Sequence, residues 1–231
     1  MMPWFIWKGK NSYSDYGLWI KKLPDRVRPN ERYEEIEIPG RAGSLIMLEG
    51  DDVYASYQMR ITVWARNTLN INEINKWLTG AGNLIICTDE SKIVEARVVD
   101  SVTFSRVGNN LMQATILFLC SPLRKNRYYT NDYISLNANG TIVNPGDVPS
   151  RPKVAVTGTG TITVSIGGEA MSFSGVNGTI LVDCDANIIT SSGEIWQGST
   201  VGDFWKIPVG KVDVDVGTAL AVQIEPEWRW L

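Results

Sequence analysis

Glu35-Ile36-Glu37-Ile38-Pro39-Gly40-Arg41-Ala42-Gly43-Ser44 reads as a strand that stops at a Pro-Gly turn, followed by a short loop carrying an arginine between two glycines. Proline fixes φ and has no N–H to give a ladder, so the strand ends there. Glycine at 40 and 43 permits positive φ and lets another backbone come close. Arg41 is thus expected on a shaped tip. Two uses suit such a tip: an ordinary hairpin loop with a solvated arginine, or a contact with another subunit through Pro39, Gly40, Arg41 and Gly43.

Outward from this turn the first half reads as strands. Arg32 to Ile38 is strand-like and pairs across the turn with Leu45 to Leu48. Next, Val53, Ala55, Tyr57, Met59, Ile61 and Val63 alternate with polar residues, a period of two that makes a half-buried strand. Ile71 to Leu78 is the one convincing helix: Asn70 caps it, Glu73 stands three residues on, and Ile71, Ile74, Trp77 and Leu78 share a face. Strands follow at Leu84–Thr88, Ile93–Phe104 and Leu111–Cys120. Pro122 is expected to close the unit, with Arg124 to Arg127 as a charged, exposed run. The spacing predicts two domains, 1–125 and 126–231.

The second half carries short strands at even spacing and no helix. Asn139-Gly140 and Asn177-Gly178 match type I′ hairpin turns, and Gly167-Gly168 is a further two-residue turn. Ile162, Val164 and Ile166 alternate inward, and strands recur at Thr179–Cys184, Glu194–Gln197, Phe204–Ile207, Val212–Val216 and Leu220–Glu225. About eight such strands predict a jelly-roll-like sandwich. The fold class is mainly β, a sandwich or barrel-like domain with one short helix followed by a second sandwich.

Composition narrows the function. The 231 residues include no histidine, which removes Ser-His-Asp and Cys-His nucleophiles, His-ligated metals and His proton shuttles together. Net charge is −3, with 16 Lys+Arg against 14 Asp+Glu up to residue 125 and 6 against 11 beyond it. A near-neutral half thus joins an acidic half, and the acidic surface does not suit a nucleic-acid backbone. Cys87, Cys120 and Cys184 have no metal-ligand spacing and sit in apolar strands, as buried free thiols do. The N-terminus lacks the basic region of a signal peptide, and no apolar run approaches the ~20 residues needed to span a bilayer. Synthesis in a reducing cytoplasm, without secretion or membrane insertion, is expected.

Other constellations fall to structural explanations. Gly158-Thr159-Gly160 lacks the third glycine and the helix of a phosphate loop. Asp183 with Asp185, and Asp213 with Asp215, each point to one sheet face but lack the glycine-turned acidic loop of a calcium site. No catalytic residue, metal or cofactor is expected. Nine tryptophans are many for this length. Core and interface roles account for most of them, but Trp196 and Trp205 are candidates for stacking on sugar rings, the alternative being a carbohydrate-binding sandwich that recognises a cell-surface saccharide.

The order of several segments resembles the distal tail proteins of phages, the Dit family. In the first half the likeness rests on Gly9, Ser12, Asp15, Tyr16 and Gly17, then Arg32, Ile36, Pro39, Gly40, Arg41 and Gly43. It continues through Trp77, Ala96, Phe118 and Pro122. In the second half it runs through Asn139-Gly140-Thr141, Arg151-Pro152, Gly158 with Gly160, Asp183, Trp205, Ile207 to Gly210, and Glu225 to Trp230. The resemblance implies a structural baseplate hub protein at the tail tip of a long-tailed, non-contractile phage or prophage. Its implied partners are five further copies in a homo-hexameric ring, the tail tube protein, the tail-associated hub or lysin protein, and receptor-binding proteins. DNA would pass the channel without specific binding. The outer domain would be galectin-like. The chain is too short for the long arm that some members insert in that sandwich.

Overall fold

The computed structural model describes residues 2–66, 70–128 and 133–231. These fall into two compact units, residues 1–127 with Leu231 and residues 128–230, both built almost wholly of strands.

The first unit contains β1 (Phe5–Trp7), β2 (Lys10–Asn11), β3 (Trp19–Lys22), β4 (Tyr33–Glu37), β5 (Ser44–Leu48), β6 (Tyr57–Arg66), α1 (Ile71–Trp77), β7 (Ala81–Ile86), β8 (Lys92–Val98), β9 (Ser105–Arg106) and β10 (Leu111–Asn126). Its sheet runs β2-β1-β7-β8-β10-β6-β3, with β9 against the start of β10. The alternation expected of β6 is there: Tyr57, Met59, Ile61, Val63 and Ala65 are buried and the residues between them are not. They meet Met112, Ala114, Ile116, Phe118 and Cys120 of β10 across an antiparallel ladder.

Helix α1 is seated by its aromatic side chain. Asn70 caps it, Oδ1 accepting from the Glu73 N–H at 3.4 Å. The Trp77 indole N–H donates to the Trp7 carbonyl at 2.9 Å, and the Trp7 indole N–H returns a bond to the Trp77 carbonyl at 3.1 Å. Both polar tips are thereby satisfied inside the core, where an unmade bond would cost more than a made one contributes. Phe5 and Tyr16 stack on Trp77, with centroids 5.6 and 4.3 Å away, and Phe118 meets Trp7 edge-on.

Strand β10 departs from expectation. It does not stop at Pro122 but runs to Asn126, and Arg124 is buried, only 8% exposed, not part of a solvated run. The physical reason is a bulge. Cys120 pairs with Ala96 of β8 and Arg124 with Val94, so three residues of β10, Ser121 to Leu123, stand against one of β8, Glu95. Proline is tolerated in a bulge because no ladder bond is asked of it.

The second unit contains β11 (Ile134–Leu136), β12 (Gly140–Asn144), β13 (Lys153–Ile166), β14 (Glu169–Asp183), β15 (Ile188–Ser191), β16 (Glu194–Ile195), β17 (Ser199–Val201), β18 (Gly210–Asp215) and β19 (Ala221–Glu225). The long hairpin β13–β14, closed by Gly167-Gly168, is its spine. Near the open end its strands pair with β19 and β15; near the closed end they pair with β18 and β17. One hairpin therefore serves two layers, and it changes layer at a register shift beside Gly160.

That corner explains why Asn177-Gly178 is not a turn. The pair lies within β14 opposite Gly158 and Thr159, and Gly160, Gly175 and Gly178 take φ of 87°, 86° and 103°. The glycines supply positive φ to bend a continuous strand, not to reverse it. Asn139-Gly140 is not a hairpin turn either: β11 pairs with β19 and β12 with β18, while the Asn139 side chain accepts from the Val216 N–H. Val154, Val156, Ile162, Val164 and Ile166 from β13 and Met171, Phe173, Val176, Ile180 and Val182 from β14 form half of the core.

Candidate functional site

Strands β4 and β5 form a two-stranded ribbon that joins neither larger sheet. Five cross-strand pairs hold it, from Tyr33 opposite Leu48 to Glu37 opposite Ser44. At its tip the Arg41 N–H donates to the Ile38 carbonyl at 3.1 Å, with Gly40 at φ 80°. Proline at the second position and a positive-φ glycine at the third are the requirements of a type II turn, so Ile38-Pro39-Gly40-Arg41 closes as the sequence dictates. Gly43, at φ 79°, turns the chain back into β5.

The root is held from both sides. The Arg32 guanidinium lies 2.6 Å from the Glu49 carboxylate, the Glu49 N–H donates to the Arg32 carbonyl, and the Arg32 N–H donates to the Val53 carbonyl. Glu31 bridges to Tyr54, whose phenol pKa is pushed up by burial and then by the carboxylates of Asp52 and Glu31.

Among the described residues little covers either face of the ribbon. Tyr33, Ile46, Met47 and Leu48 are all more than half exposed, and Leu45 is 40% exposed. The acids of β4 sit opposite apolar residues of β5, Glu34 against Met47 and Glu35 against Ile46. A lone two-stranded hairpin is marginal in water, and a contiguous exposed apolar patch marks an interaction surface. Sequence reasoning put the contact at Pro39, Gly40, Arg41 and Gly43; all four are exposed at the tip. It passed over Leu45 to Leu48. The signal was present, because four successive apolar residues in a strand point to both faces, and a ribbon outside any core has none to receive them.

The two candidate sugar-stacking residues lie in the other unit and differ in access. Trp205 has no exposed surface; it packs edge-on to Phe173 and its indole N–H donates to the Glu169 carbonyl at 3.0 Å. No sugar ring can reach it in this fold. Trp196 is partly exposed and packs against the same Phe173 ring, 6.0 Å between centroids.

The aspartate pairs resolve into structural contacts at 183 and 185. Asp183 Oδ1 accepts from the N–H groups of Asp185 and Ala186, both at 3.0 Å, and the Asp185 carboxylate lies 2.9 Å from the Arg229 guanidinium. Among the described residues no three His, Cys, Asp or Glu side chains gather as a metal site, and no helix is long and apolar enough to cross a membrane.

No family model matches the sequence, and no curated protein does. The structure does find a likeness. It resembles the crystal structure of the Dit protein of phage SPP1, described as a paradigm of the hub adsorption apparatus in phages infecting Gram-positive bacteria. The TM-score is 0.70 over 97% of this chain and 98% of that one, at 12% sequence identity. With so little identity in common the likeness is one of architecture, and this chain has the two-unit β fold of that phage hub protein from end to end.

Proposed function

We propose that the protein is a structural tail-tip hub component of a long-tailed, non-contractile phage or prophage, with no chemistry of its own. The observation that carries this reading is the likeness in fold to a phage hub protein along almost the whole of both chains. Six copies would close into a ring through residues 1–125, one face meeting the tail tube and the other the tail-associated hub protein. Residues 126–231 would lie outside and support receptor-binding proteins. The near-neutral charge balance of the first domain suits a channel past which DNA slides without sticking.

The exposed ribbon supports the ring. A ring needs head-to-tail contacts between unlike surfaces of identical subunits, and a preformed turn on a paired ribbon enters such a contact at little ordering cost. Pro39, Gly40, Arg41 and Gly43 are assigned to that contact, with the apolar side chains behind them. Negative-stain microscopy of the purified protein tests it: closed six-subunit annuli are expected, and a field of monomers at high concentration would overturn the ring. Arg41→Ala with Gly43→Val should abolish the annuli; rings that persist in this variant would remove the turn from the interface.

A further inference from the structure

The β10 bulge has brought a guanidinium into a cavity. Arg124, only 8% exposed, lines a cleft of about 300 Å³ in the first unit. Its Nε has no hydrogen-bond partner, and Arg124 takes part in no ion pair among the described residues. The Tyr57 hydroxyl and the Cys120 thiol interact with it, and burial pushes both towards the neutral form. A buried guanidinium without a direct salt-bridge partner is costly, because its lost hydration is incompletely replaced.

The rest of the cleft says what kind of anion would replace it. Met59, Leu84, Ile86 and Val94 give the walls an apolar character. Arg26, Lys92, Asp25 and Asp89 line its rim; Arg26 donates to the Leu231 oxygen at 3.5 Å, Asp89 accepts from the Ser91 hydroxyl at 2.8 Å and Asp25 lies 3.8 Å from Lys22, so Arg124 is the cation of the cleft for which no ion pair is formed among the described residues. The volume is at the small end of the ~300–1,000 Å³ range for ligand cavities.

We infer that this cleft binds an apolar carboxylate, the charged end on Arg124 and the hydrocarbon against Met59, Leu84, Ile86 and Val94. Two sources share that chemistry, a free short-chain carboxylate and the C-terminal carboxylate of a protein chain ending in an apolar residue. A carboxylate presents two oxygens to the guanidinium fork, a geometry that a neutral amide of the same shape cannot offer. The inference is independent of the tail-tip reading and stands or falls without it.

The full-length protein is titrated by calorimetry, and by methyl-region NMR reporting Leu84, Ile86 and Val94, with octanoate, octanamide and inorganic phosphate. Octanoate is expected to bind at least ten-fold more tightly than either of the others and to shift those methyl signals. Equal binding of octanoate and octanamide overturns the role of the charge, equal binding of phosphate overturns the role of the apolar walls, and no binding of octanoate at millimolar concentration overturns the site. Arg124→Met should remove the preference for octanoate, checked against its melting temperature; retained preference counts against the proposal. Ile86→Trp, which fills the cleft and leaves Arg124 in place, should block octanoate as well, and undiminished binding would count against it. Short peptides ending in leucine, with a free or an amidated terminus, separate the sources. Binding of the free form alone identifies a protein terminus, and octanoate without either peptide identifies a small molecule.

Discussion

Two of the molecule's antiparallel hairpins, β13–β14 and β4–β5, are built on opposite terms. In β13–β14 fourteen residue pairs form the ladder, and ten of its side chains are buried in one core. In β4–β5 only five pairs form, and side chains as large as Ile46, Met47 and Leu48 face solvent. The first is stabilised by what it covers, at roughly 25 cal/mol per Å² of apolar surface. The second has little such gain among the described residues, and its ladder alone is marginal. A hairpin that a chain keeps without burying it suits the contact proposed for it with another copy.

The sharpest test of this contrast is Phe173→Ala in β14. The ring is fully buried between Trp196 and Trp205, so the variant should lose ~3–5 kcal/mol of stability in denaturant unfolding. A loss under 1 kcal/mol would mean that the long hairpin is not anchored by its core.

Alkaline unfolding gives the next effect. Burial raises the Cys184 thiol to about 12 and the Cys120 thiol to about 11, from an ordinary value of 9.0. The folded state therefore holds protons that the unfolded chain releases, so stability is full below pH 9 and falls between pH 9 and 12. Cys184→Ala should flatten part of that decline, and an unchanged slope would reject burial as its cause.

At the ribbon tip, Gly40→Ala should cost ~1–2 kcal/mol of local stability, since an L side chain resists φ near 80° although nothing crowds its Cβ. Exchange of the Arg41 amide with solvent would report it, and unchanged protection would deny the type II turn. The smallest effect on the isolated subunit belongs to Ile46→Ser with Leu48→Ser, within ~0.5 kcal/mol as for other exposed sites. The same pair should nevertheless abolish self-association in sedimentation. If the pair unfolds the subunit, the ribbon is core and not interface.

Much of this was legible in the sequence where one local rule acted alone. The period-two pattern of β6, the Asn70 cap and the Pro39-Gly40 turn each follow from a single physical demand, and each is formed. The sequence misled where a residue satisfies two demands. Pro122 ends an ideal strand yet is accommodated by a bulge, and Asn177-Gly178 favours a reversal yet bends a strand between layers. Partners distant in sequence decided both outcomes. Trp205 could not be told from an exposed tryptophan, because its burial depends on Phe173 and Glu169, more than thirty positions away. Of the candidate contact, the turn was read directly, whereas the apolar run of β5 was visible as a pattern but its exposure was not, since burial of β5 is a property of what surrounds it.

The ribbon's two long edges are also unlike each other. Glu34, Glu35 and Glu37 all lie on β4, while β5 carries no charge from Ser44 to Leu48. Two copies meeting acid edge to acid edge would crowd six carboxylates, which like-charge repulsion disfavours; the bare edge meets no such barrier. Addition of acid edge to bare edge escapes that repulsion, and it is the head-to-tail order that a closed ring requires.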